Sequence, residues 1–375
     1  MPDPNATTLR GDCHVLFAFD LGFAIDLDRA RARLSSPEPA SPVRVLLEDR
    51  PTPKYVEFHP QPVRASEHAD PHSEPIESIA GFPISPDSDA TLFDFGAACL
   101  SYRIPFNAPL VSLLDLSVEL YDHAALKADA HRRAQDLLRS LGDAITNPRI
   151  APAVEDYVVV VIHPDSLSTS PDSFLQQHQS LIARLLRAEP KAISTQEESD
   201  ALASRISYSP NDLTLIDWNG ALVIQADPAD LLAVLEFANV ELLEMRHLDE
   251  QLDHALDEAY RLTQHPPGLA RVLTRHAASD QQRIAKMQMD SALLFEGVNN
   301  ALKLLGDQYL ARVYRLAAQR LHLPAWDAAI LRKLETLDSI YEKMSDRQAT
   351  QRMEILEWII ILLIAFEVVK SLIDS

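Results

Sequence analysis

Nine glycines in 375 residues leave little backbone for cradling phosphates, and the chain carries no GxxxxGKS/T loop, GxGxxG, HExxH or GxSxG motif. The common nucleotide enzymes and serine hydrolases are thereby disfavoured. Two cysteines, Cys13 and Cys99, are too few for a disulfide framework, and neither has a second thiol two residues away to make a zinc-ligand pair. A reducing compartment follows. Basic residues are also scarce, 34 against 55 acidic ones, and the net charge of −21 repels phosphate backbones, so no nucleic-acid partner is expected. The start, MPDPNATTLRGDC, has neither the apolar segment of a secretory signal nor the arginines of a transit peptide.

What is abundant is apolar surface, 47% of the residues, enough for a sizeable core in about two domains' worth of chain. Proline, at 25, crowds the stretch 37–86, which reads as mostly loop. Within it VRVLLED (43–49) and KYVEF (54–58) are short edge-strand candidates. HVLFAF (14–19) predicts a first strand, followed by a helix from about Asp26 to Leu34. The run 91–106 is β-prone but broken at Gly96. Apolar residues spaced by three and four predict helices over 109–121 and 124–141, and the unbroken YVVVVIH (157–163) predicts a central strand covered on both faces. Ser170-Pro171 opens a helix through Leu186, and Asn219-Gly220 closes a two-residue hairpin between DLTLIDW and ALVIQ.

From Asp227-Pro228 onward the pattern is helical, with one break at Pro266-Pro267-Gly268. A long helix from about Ser279 to Leu321 carries one seam, and Ile330, Leu334, Leu337, Tyr341 and Met344 repeat it after Pro324, suggesting an antiparallel hairpin. The fold class expected is α+β: a mixed sheet-and-helix domain over 1–264, a helical hairpin over 265–350, and a hydrophobic helix over 355–373.

That last helix, ILEWIIILLIAFEVVKSLI, would rise roughly 28 Å at about 1.5 Å per residue, just enough to cross a bilayer. A central acid costs about 2.5 to 3.5 kcal/mol on insertion, and each large aliphatic residue returns about 0.3 to 0.6, so the sum is near balance. Trp358, Ile359, Ile360, Ile361, Leu362, Leu363, Ile364, Phe366 and Glu367 are the candidate anchor, with a buried oligomerisation helix as the other reading. Lys343, Arg347 and Arg352 before it would keep the preceding mass on the cytoplasmic face.

Candidate sites are few. His59, Glu67, His68, Asp70 and His72 cluster in the proline-rich stretch, where solvated loop histidines explain them better than a metal. On the helix after Pro228, Asn239, Arg246 and Asp253 lie seven apart on one stripe, with Asp249 and Glu250 just beyond Arg246. The pattern suits either an anion or peptide site or a polar network that fixes helix register. Asp217 and Trp218 either line a site or serve the hairpin turn.

The blocks LGDQYLARVYRLAAQRLHLPAWDAAILRKLETLDSIYEKMSDR (305–347) and RMEILEWIIILLIAFEVV (352–369) resemble the C-terminal half of the required-for-meiotic-nuclear-division family, also called domain of unknown function 155. YSPNDLTLIDWNGALVI (208–224), LEFANVELLEMRHLDEQLD (235–253) and DLGFAIDLDRARARL (20–34) are similar to its other blocks and to its bacterial members. The resemblance implies a membrane-anchored, oligomeric protein, whose mitochondrial relatives sit at the inner membrane and support translation, and it implies no established reaction. Family-typical positions would be Asp217, Trp218, Glu236, Asn239, Glu244, Arg246, Asp253, Arg352, Glu357, Trp358 and Glu367.

The expectation is therefore a membrane-tethered, self-associating scaffold on the cytoplasmic face of the inner membrane, with lipid, copies of itself and a cytoplasmic protein as partners. No catalytic residue, cofactor or metal is assigned. The alternative is a soluble ligand-binding protein or enzyme with a polar cleft around Arg246.

Overall fold

The computed structural model describes residues 8–35, 45–47, 57–58, 60–67, 76–264, 289, 292, 302–303 and 308–373. It is a mixed α+β structure around one nine-stranded sheet. The strands of that sheet are β1 (Thr8–Asp20), β2 (Val45–Leu47), β3 (Val63–Glu67), β4 (Ser88–Leu92), β5 (Ala97–Pro109), β6 (Val154–Ile162), β7 (Arg205–Ile206), β8 (Leu213–Ile216) and β9 (Gly220–Ile224). Their order is β7-β8-β9-β6-β1-β5-β4-β3-β2. All neighbours are antiparallel except β6 and β9, which pair in parallel with Val160 opposite Leu222. The helices are α1 (Leu27–Ser35), α2 (Leu110–Leu120), α3 (Ala124–Leu141), α4 (Pro171–Leu186), α5 (Thr195–Ala201), α6 (Ala229–Gln264), α7 (Gln308–Arg320) and α8 (Leu323–Ile373).

The continuous apolar strands sit where their composition demands. β1 and β6 are the middle of the sheet, with Val15 opposite Val158 on one side and Tyr102 of β5 on the other. Cys13, Val15, Phe17 and Phe19 join a core with residues of α1 to α4, while the intervening Leu16 and Ala18 are buried on the opposite face. There α6 covers the sheet, with Phe237 packed edge-on against Phe93 and Phe95. A strand with both faces covered has no reason to alternate polar and apolar residues.

Local signals hold too. The Ser170 hydroxyl accepts from the Ser173 N–H at 3.3 Å and caps α4. Gly96, in the turn from β4 to β5, has φ +103°, and a Cβ there would lie 2.0 Å from the Gly22 carbonyl oxygen. The chain crosses itself at that point, and only hydrogen fits. Val45–Leu47 forms the sheet's outer edge, whereas Glu57–Phe58 pairs apart from the sheet, with Leu302–Lys303.

Two compact units divide the chain, one of residues 1–247 and 296–326, the other of 248–295 and 327–375. The first holds the sheet. In the second, the last part of α6 and most of α8 are tied by Lys333, whose ammonium lies 2.7 Å from Asp249 and 2.6 Å from Asp253.

The C-terminal third departs from expectation in two ways. Leu302 and Lys303 are extended and not part of a helix from Ser279 to Leu321, of which the described residues show α7 and the helical Met289 and Ala292. The proline break at 266–268 and the histidines 59, 68 and 72 lie outside the described residues. Separate hairpin and terminal helices are also replaced by one 51-residue helix, α8, which begins after His322 reverses the chain with φ +58°.

The membrane anchor is corrected as well. No helix of the described residues is long and apolar enough to cross a membrane. The stretch Trp358, Ile359, Ile360, Ile361, Leu362, Leu363, Ile364 to Phe366 is bounded by Glu357 and Glu367, so charge closes in before the bilayer thickness is reached. The transmembrane and tail-anchored readings fall with it. Residues Trp358 to Ile364 are nevertheless all exposed on α8.

Candidate functional site

Asp217 directly follows β8, and its position follows from the hairpin. Its N–H donates to the Gly220 carbonyl at 2.9 Å, closing the turn, and its carboxylate accepts from the Trp218 N–H at 2.8 Å. Tyr157, on the neighbouring β6, donates its hydroxyl to the Asp217 carbonyl at 2.8 Å. The Asp217 side chain is fully buried, yet it is not alone. Arg187, just past α4, donates from Nε to Oδ2 at 3.0 Å, and Arg320, at the end of α7, donates from Nε to Oδ1 at 2.6 Å.

Both guanidiniums reach on to Asp200 on α5, at 2.5 and 2.6 Å, and Arg187 also pairs with Glu197. Two cations thus bridge three carboxylates, which balances charge to within one unit. Hydrogen bonds from Arg320 and Arg187 hold Asp200 down at about 2. The Asp200 bond, together with Asp217, raises Arg320 above its ordinary value. Burial, reinforced by the Asp217 charge, pushes the Tyr157 phenol up and keeps it a neutral donor. Trp218 itself turns outward, half exposed.

The stripe on α6 meets β6 and α8. Asn239 donates from Nδ2 to the Glu155 carbonyl at 3.2 Å, and Arg246 pairs with the Glu155 carboxylate. Burial raises the Glu155 pKa, with Arg246 opposing. Asp249 and Asp253 share Lys333. The structure therefore joins Asn239 with Arg246 through Glu155, and Asp249 with Asp253 through Lys333. Arg246, Asp249 and Asp253 each have an intramolecular counter-ion.

A further cluster escaped the sequence. Asp20 at the end of β1, Glu244 and His247 on α6, and Arg149 in the loop before β6 converge, with His247 Nε2 3.0 Å from Asp20 Oδ2 and 2.9 Å from Arg149 Nη2. Only Glu244 was marked beforehand, and only through the resemblance. An acid ending an apolar strand in FAFDLG was the available signal, since a side chain there must be either capping or buried. Among the described residues, no group of three or more His, Cys, Asp or Glu is placed to hold a metal ion.

Comparison with known proteins adds kinship without chemistry. Residues 10–230 match the family model described as "Uncharacterized protein MJ0711, N-terminal domain". The chain is similar to uncharacterized protein MJ0711 of the archaeon Methanocaldococcus jannaschii, 24% identical over 268 residues that cover 71% of this chain and 76% of the relative. No solved structure matches. These findings overturn the resemblance to the required-for-meiotic-nuclear-division family and to its bacterial members. Short apolar helical blocks such as LEWIII recur wherever helices pack, whereas the match found spans the sheet from β1 to the start of α6. The chain belongs to the family of the MJ0711 N-terminal domain.

Proposed function

We propose that the protein is a non-enzymatic, self-associating scaffold in which α8 packs against copies of itself. The observation that supports this reading is the run Trp358 to Ile364, seven consecutive large apolar residues, each about half exposed or more. A helix that is apolar all round is stable only when surrounded, and soluble chains do not leave such patches uncovered. Seven side chains, roughly half exposed, represent about 5 to 10 kcal/mol of available burial per copy at about 1.5 to 3 kcal/mol for each residue fully buried. That is of the order of the association cost, about 4 to 15 kcal/mol.

The register agrees. Trp358 and Leu362 lie three heptads beyond Leu337 and Tyr341, so the seam along α8 stays in phase. A non-catalytic reading is supported by the ion pairs that engage Asp217, Arg246, Asp249 and Asp253. Mass measurement in solution tests it. The full chain should run as a multiple of 41.8 kDa, and Ile361→Glu with Leu362→Glu should return it to the monomer. A wild-type chain that stays monomeric at every accessible concentration overturns the proposal.

A further inference from the structure

The cluster at the end of β1 has an arrangement that ion pairing alone does not require. Asp20 Oδ1 is fixed by the Gly22 N–H at 2.9 Å. Its Oδ2 faces His247 Nε2 at 3.0 Å and Arg149 Nη2 at 3.4 Å. The same His247 nitrogen lies 2.9 Å from Arg149. An Arg N–H donates only to an unprotonated Nε2, whereas Asp20 accepts only from a protonated one. The two contacts demand opposite proton positions on one atom.

Glu244 stands one turn before His247 on α6. It is 2% exposed, and its Oε1 has no hydrogen-bond partner. The charged groups facing it are Asp20 from β1, which repels its carboxylate, and Arg149, which attracts it. With Asp20 and Arg149 already cancelling, an ionised Glu244 would be an uncompensated buried charge. A single proton resolves this in either of two ways. On Glu244, it leaves the carboxyl neutral and His247 Nε2 open to Arg149. On His247 Nε2, it makes an imidazolium that donates to Asp20 and balances an ionised Glu244. Moving the proton from Oε to Nε2 changes no total charge.

We propose that Asp20, Arg149, Glu244 and His247 form a proton-operated latch that holds α6 on the end of β1 while one shared proton is present and releases it when that proton is lost. Burial and the Asp20 charge raise Glu244 well above its ordinary value, so the folded chain binds a proton that the unfolded chain has given up. The resulting stabilisation is complete below the ordinary carboxylate value and is lost as pH rises towards the raised one. Arg149 is half exposed, which gives the proton a path to solvent.

The test follows urea unfolding of the full chain from mildly acidic to alkaline pH, for wild type and Glu244→Gln. In the window above the ordinary carboxylate value, the wild-type unfolding constant should rise by about tenfold per pH unit relative to the variant, the signature of one proton. Infrared spectra of the wild type should show a protonated carboxylic acid C=O band at neutral pH that disappears at alkaline pH and is absent from the variant. Equal pH slopes for the two proteins overturn the latch. If the variant does not fold, a wild-type α6 amide protection that does not fall as pH rises from neutral to alkaline overturns it equally, and a band lost as that protection falls supports it.

Discussion

Replacing Asp217 by Asn removes one negative charge while keeping an oxygen for the Trp218 N–H, so the variant isolates electrostatics from turn geometry. Asp217 is fully buried and receives Arg187 at 3.0 Å and Arg320 at 2.6 Å. Breaking a buried pair by deleting one partner costs about 3 to 5 kcal/mol, because the survivor keeps its desolvation penalty. Here both guanidiniums retain Asp200, which places the cost at the lower end, about 3 kcal/mol, or roughly a hundredfold in the unfolding constant. Urea denaturation followed by circular dichroism at neutral pH measures it. Adding Arg320→Gln to Asp217→Asn should cost less than Arg320→Gln alone, with a coupling of about 1 to 2 kcal/mol. A loss below about 1 kcal/mol for Asp217→Asn, or strict additivity in the cycle, would refute the idea that this carboxylate anchors α4 and α7 to the sheet.

Other outcomes follow from single contacts. Gly96→Ala combines a positive φ with a methyl group 2.0 Å from the Gly22 oxygen and should destabilise by about 3 kcal/mol or more, read as a fall in melting temperature. Cys13 and Cys99 are both buried, and burial lifts the Cys13 thiol to about 12. Neither should react with a thiol reagent at neutral pH until the chain is unfolded, when two equivalents should appear. Asp200, held at about 2, binds fewer protons folded than unfolded. Its contribution is present above the ordinary carboxylate value and lost as pH falls towards 2, so Asp200→Asn should flatten that part of the acid-unfolding curve.

Strands and helices of the sheet unit were legible because their causes are local. The run YVVVVIH carries its double burial in its composition and Ser170-Pro171 carries its cap, whereas the hairpin turn falls on Trp218-Asn219, one residue before the expected Asn219-Gly220, because Gly220 pairs with Asp217 and opens β9. The ionic sites were not, since the partners of Asp217 stand 30 and 103 residues away and no local spacing relates them. Asp20 and Glu244 come together only because α6 packs on the sheet whose middle strand is β1. The terminal helix misled for a physical reason: bilayer and helix bundle select the same aliphatic residues, and the flanking Glu357 and Glu367 decide between them only when the span is measured against charge. At Leu302 a two-residue pairing with Phe58 overrides helical spacing, a tertiary effect that periodicity does not register.

Of the sheet's strands, the earliest in chain order is the one in the middle. β1 pairs Thr8 with Pro109 on one side and Gly11 with Ile162 on the other, so the emerging segment waits about a hundred residues for its first neighbour and about fifty more for its second. Throughout that interval LFAF is solvent-facing with both rows of amides unsatisfied, an invitation to wrong pairing. Assembly of this sheet is thus a late, all-at-once event in synthesis, and a chain stalled before β6 would present itself to chaperones as an open aggregation template.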